Sequence, residues 1–143
     1  MKNSKPTEEQ ILKVKQYLEC VLIASKRHKE IFLKIAMLEE KKYKLKNSEI
    51  SENNSHQSTT NYSLETIIDN INTLQNEAEA IKLQLANALT IFSYLEDSTQ
   101  QRLLKMRYIL LRKWNEIANE LNYSINGIKY FQDKAIKKIA SYF

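Results

Sequence analysis

Ser124, Ile125, Asn126, Lys129, Tyr130 and Asp133 hold, within a short stretch, the side chains that can read the edge of a base pair. An asparagine amide can pair bidentately with adenine, a lysine can donate to guanine, a carboxylate can accept from cytosine, and an isoleucine methyl can touch a thymine methyl. Arg112, Lys113, Lys134 and Lys137 surround them with the cations that neutralise phosphates. Lys129 and Lys138, with Arg102, Lys105 and Arg107, add to the same basic segment. Asp133 has a blander alternative, an ion pair with Lys129 or Lys137.

These side chains need a scaffold, and the segment from Trp114 to Asp133 specifies one. Two short helices that cross closely need a small residue between them, which Ala118 supplies. Asn122, four residues later, tolerates the positive φ that a tight turn requires. Ile117, Leu121, Tyr123, Ile128 and Phe131 are the expected core, Ser124 caps the second helix, and the pattern is that of a helix-turn-helix. Trp114 is expected to pack this motif onto a supporting helix through Leu103, Leu104, Met106, Tyr108, Ile109 and Leu110. Gly127 is open to two readings, a close approach of backbone to DNA or a neutral choice.

Upstream, one Gly and one Pro in 143 residues leave little material for tight turns, so few long helices are expected. Thr7 and Gln10 form a capping box for a helix running to about Lys46. Its apolar stripe is Val14, Tyr17, Val21, Ala24, Ile31, Ile35, Leu38 and Leu45, widened by Ile11, Leu18, Leu22 and Phe32. The lone Cys20 is expected as a small core residue. A second helix over 64–95 carries Leu64, Ile71, Ala78, Leu85 and Phe92, interleaved with Ile67, Leu74, Ile81, Ala88 and Leu95. This alternation of 3 and 4 is a coiled-coil seam, within one chain or between chains. The intervening Asn/Ser/Thr-rich residues 47–63 read as a mobile loop.

The fold expected is all-α: a long N-terminal helical hairpin over 1–97, then a three-helix domain over 98–143, with helices at about 98–111, 113–121 and 125–141. Charge supports this division. Residues 1–47 carry 12 basic and 6 acidic side chains (+6), residues 48–97 carry 1 and 8 (−7), and residues 98–143 carry 9 and 3 (+6), which sum to the net +5. Opposite signs favour packing of the first two segments on each other, and a basic third segment suits a polyanion.

Other classes fit poorly. His28 and His56 are isolated, and there is no His/Cys cluster, Gly-rich phosphate loop or nucleophile elbow, so no enzyme, metal or cofactor is expected. Met1 to Gln10 is polar, and the longest apolar run, Cys20 to Ala24, is far short of the roughly 20 residues that span a bilayer, so the reading is cytoplasmic with no membrane partner.

Residues 98–141 resemble the fourth region of bacterial sigma factors, through Arg107-Tyr108, Glu116-Ile117-Ala118, Ser124, and Ala135-Ile136 with Lys138-Ile139. In that family the promoter-reading residues follow the Ser and map onto Ile125, Asn126, Gly127, Lys129 and Tyr130. This chain has Ile, Asn and Gly where the family often has Arg and Glu, so the docking mode carries over and the target sequence does not. The whole chain is similar to small phage and prophage regulators of the RinA/ArpU type, through Ser55 to Thr73 and the stretch from Arg107 to Ser124. That resemblance implies control of late phage genes. Double-stranded DNA is the expected partner. RNA polymerase, or a second copy forming a homodimer, would meet the long helices. Two alternatives stand beside this: a small-terminase-like DNA-packaging subunit, and a coiled-coil adaptor for an acidic protein.

Overall fold

The computed structural model describes residues 5–51 and 57–142, with side chains at 5–47 and 64–142. All regular structure among them is helical: α1 (Glu8–Ser51), α2 (Gln57–Ser93), α3 (Ser98–Leu104) continuing into one π-helical turn (Lys105–Ile109), α4 (Trp114–Leu121) and α5 (Ile125–Ala140). None is long and apolar enough to cross a membrane. Helix covers both flanks of the loop expected over 47–63, and the remainder of that expectation, 52–56, lies outside the described residues. Asn, Ser and Thr cost a helix only a few tenths of a kcal/mol each relative to Ala, roughly, and no Gly or Pro interrupts the stretch.

The chain divides into two compact units, and the division does not fall at residue 97. The first comprises Met1–Lys26 with Leu83–Phe143, and the second is Arg27–Lys82. The reason for the first grouping is its core. Val14, Leu18, Val21 and Leu22 of α1, and Ala88 and Phe92 of α2 with Leu95 beyond it, share one buried cluster with Leu103, Leu104, Ile117, Ile128, Ile136 and Ile139. A segment of about 45 residues buries only a small core by itself. The ends of the long helices complete it.

Local signals set the helix ends. The Thr7 hydroxyl accepts from the Gln10 N–H (3.1 Å), and the Gln10 amide oxygen accepts from the Thr7 N–H (2.8 Å), which closes the expected capping box. Asp97 caps α3 by accepting from the N–H groups of Thr99 (2.8 Å) and Gln100 (3.3 Å).

The end of the supporting helix departs from expectation. It widens: the Leu110 N–H donates to Lys105 O (2.9 Å) and the Arg112 N–H to Met106 O (2.8 Å), with Leu111 left-handed at φ 61°. Positive φ is uncommon for so bulky a residue. Widening diverts the Arg112 N–H from Tyr108 O, its partner in a regular α-helix. Ser25, the one polar residue buried among the described positions, donates its hydroxyl to that carbonyl at 2.6 Å. Ser25→Ala would leave a buried carbonyl without a donor, so we expect a loss of about 1–3 kcal/mol of stability. Urea unfolding of the variant beside wild type checks this.

Cys20 is exposed and not a core residue. The row Val14, Leu18, Val21, Ser25 faces inward, and a helical step of about 100° turns position 20 away from it. Leu110 is 58% exposed, because the π-helical turn shifts its register off the inward face.

In the second unit Ile31, Ile67, Ile71 and Ile81 are buried, and Ile35, Leu38, Leu45, Leu74 and Ala78 are half-buried. The heptad seam of α2 therefore faces α1. Phe32 is 69% exposed and does not widen the α1 stripe, since it lies about a quarter-turn from Ile31 and Ile35. Arg27 donates to both Glu77 oxygens, Nε at 2.7 Å and Nη2 at 3.0 Å, one concrete form of the charge complementarity between the two helices. The guanidinium holds the Glu77 carboxyl below its ordinary range, so this pair is intact at neutral pH and weakens as pH falls through that lowered value.

Candidate nucleic-acid interface

The site is built on α4, a three-residue turn and α5. Lys113 stands at the N-cap of α4, and its N–H donates to the Glu116 carboxylate at 3.0 Å. Lysine has no side-chain acceptor, so only the Glu116 half of a capping box forms. Trp114, half-buried, packs against the core as expected, with the Arg107 guanidinium 4.7 Å from its ring centroid.

Ile117, Ala118 and Leu121 bury the inner face of α4. The helix closes at Asn122, left-handed at φ 62°, ψ 43°, and the Tyr123 N–H donates to Ala118 O at 3.0 Å. The turn therefore sits where Asn122 was expected to make it. Ser124, extended, starts α5 by accepting the Gly127 N–H at 3.0 Å. Gly127 has a local reason, distinct from DNA approach and from neutrality. A Cβ there would lie 3.3 Å from Ser124 Oγ and 3.6 Å from Tyr123 Cβ, so the residue fits tightly beneath the cap.

The inner face of α5 is Ile128, Ala135, Ile136, Ile139 and Ala140. Gln132 donates its amide to the Tyr108 hydroxyl at 2.7 Å, tying α5 to the π-helical turn. Burial pushes the Tyr108 phenol up from its ordinary pKa, so it stays neutral and available as acceptor.

The outer face holds the base-reading candidates. Ser124, Ile125, Asn126, Lys129, Tyr130 and Asp133 are all exposed, on one arc over the first turns of α5. Among the described residues Asp133 has no ion pair within 4 Å, so the alternative pairing with Lys129 or Lys137 does not form. Lys129 and Lys137 also have no carboxylate partner among the described residues. Lys134 instead lies over the Tyr130 ring, 5.1 Å from its centroid. Ser124 spends its hydroxyl on the cap, which leaves it one lone pair and its proton for any ligand.

Arg112 does not stand as a free cation. Its Nη1 lies 2.8 Å from the Glu120 carboxylate, and both side chains are partly exposed. Tyr123 belongs to the surface rather than the core: it is 43% exposed and meets half-buried Phe131 edge to face, centroids 4.9 Å apart. The signal that could have found this is its position directly after a left-handed residue, where the chain is already turning outward. Lys138 lies 5.9 Å from the Tyr142 ring centroid, and the Tyr142 hydroxyl donates to Tyr94 O at 3.2 Å.

Taken together, this arc offers donors at Lys129 and Tyr130, a carboxylate acceptor at Asp133, an amide that is both at Asn126, and a methyl-bearing edge at Ile125. Lys113, Lys134 and Lys137 lie exposed beside it. Among the described residues no three His, Cys, Asp or Glu side chains cluster to hold a metal ion. Comparison with known proteins gives no match, whether to a family model, a curated sequence or a solved structure.

Proposed function

We propose that the protein is a sequence-specific regulator of transcription that binds double-stranded DNA through a helix-turn-helix formed by α4 and α5. One observation carries the reading: the outer arc of α5 begins directly after a three-residue turn, and among the described residues its polar side chains have no hydrogen-bond or ion-pair partner beyond the Ser124 cap, with Tyr130 meeting the Phe131 ring and Lys134. A helix so anchored on one side and free on the other fits the major groove, where each base pair shows a distinct pattern of donors and acceptors. The resemblance to sigma-factor fourth regions and to phage regulators supports a role at late phage genes, with RNA polymerase as a second partner.

Selection of duplexes from a random pool tests the reading. A shared sequence should emerge, and log affinity should fall with log salt at a slope of about −2.7 if Lys113, Lys134 and Lys137 each neutralise a phosphate. A pool that never converges, or no binding at low salt, would overturn it.

The Arg112–Glu120 pair adds a smaller expectation. Glu120→Ala releases the guanidinium toward the phosphates. The salt slope should steepen by about 0.9, one additional contact, with the base preference unchanged. A salt titration of the variant measures this.

A further inference from the structure

We propose that a second copy of the chain docks on the outer face of the Arg27–Lys82 unit, with its two-fold axis at Met37. A groove of about 440 Å³ opens there between α1 and α2. Met37, Leu38 and Leu74 supply its apolar lining, with Lys34 and Lys41 along the α1 side and Asn70 and Thr73 along the α2 side. Met37 itself is 68% exposed and Leu33, one turn before it, is 55% exposed. Projecting apolar side chains and an apolar recess thus lie in one patch, which a self-complementary interface requires.

The charges identify the occupant. On the Met37 face of α1 two pairs of opposite charge are placed symmetrically about Met37. Glu30 lies seven residues before it and Lys44 seven after; Lys34 lies three before and Glu40 three after. All four fall on the Met37 face, because steps of 3, 4 and 7 return to the same side of a helix. An antiparallel copy centred on Met37 therefore sets each Lys34 against the other copy's Glu40 and each Glu30 against its Lys44. Met37 meets Met37, and Leu33 lies along the aliphatic stem of Lys41. A parallel copy in register would set like charges against one another, which disfavours it. Glu40 already has Lys44 of its own chain at 3.6 Å and Glu30 has Arg27 at 3.4 Å, pairs at the surface whose carboxylates a second lysine can share. An unrelated acidic helix would satisfy Lys34 and Lys41 but leave Glu30 and Glu40 facing like charge.

Sedimentation equilibrium of the full chain tests the proposal. Wild type should weigh twice 16.9 kDa, and Met37→Glu should weigh 16.9 kDa with its helical circular dichroism unchanged. Lys34→Glu should also give the monomer, while Lys34→Glu combined with Glu40→Lys should restore the doubled mass, since the swap rebuilds the pairing in reverse. A monomeric wild type, whatever other protein the groove then takes, overturns the proposal. So does a ring of many subunits, a Met37→Glu protein that keeps the doubled mass, or a charge swap that fails to restore it. Low-salt DNA binding by the Met37→Glu monomer is read separately, so failure here leaves the DNA reading standing.

Discussion

Phe92→Ala is expected to cost about 3–5 kcal/mol of folding stability, the range for deleting a fully buried aromatic ring. Phe92 has no exposed surface, and its cluster joins the C-terminal end of α2 to α3, α4 and α5. A small protein has only about 5–15 kcal/mol in total, so the variant should be partly unfolded or close to it at 37 °C. Urea unfolding followed by circular dichroism reads the loss as a lowered midpoint. Phe32→Ala is the control: the same deletion at a 69% exposed site should change stability by no more than about 0.5 kcal/mol. Equal effects of the two substitutions would mean that α3 to α5 do not depend on the long helices for their core.

Lys129→Ala and Tyr130→Ala are expected to weaken binding to the selected DNA site by about 10- to 100-fold each, the worth of one good base contact. Both residues are exposed, and Lys129 has no carboxylate partner among the described residues, so unfolding curves should match wild type. Tyr130 has two possible contributions. Tyr130→Phe keeps the ring that lies against Phe131 and under Lys134, and removes only the hydroxyl. If the hydroxyl reads a base, the Phe variant should be as weak as the Ala variant; near-normal affinity would assign Tyr130 a packing contact instead. Affinity of the folded Ala variants equal to wild type would remove both residues from the interface.

Much of the architecture follows from periodicity and caps that one sequence displays openly. The α2 heptads from Leu64 to Leu95 are buried or half-buried at every position. The Thr7–Gln10 box, the Ser124 cap and the left-handed Asn122 are local events, fixed by residues within four positions of each other. What stayed hidden depends on distant partners. The role of Ser25 is invisible until the π-helical turn strands the Tyr108 carbonyl, 83 residues away. Arg112 reads as a free cation until the winding of α4 carries Glu120 to within 2.8 Å of it. The boundary at residue 97 followed a change in pattern, whereas the core follows burial and draws Val14, Leu18 and Val21 into the same cluster as Ile128. Tyr123, Leu110, Cys20 and Phe32 misled for one shared reason. Apolar character says that a residue can be buried, and only its angle on the helix or turn says whether it is.

The most direct measurement compares wild type and Lys129→Ala on the selected site and on every single-base-pair variant of it. The account predicts that Lys129→Ala loses discrimination at one or two adjacent base pairs while every other position keeps its wild-type cost. Uniform weakening at all positions, or an unchanged pattern of preference, would contradict the claim that the exposed arc of α5 reads bases.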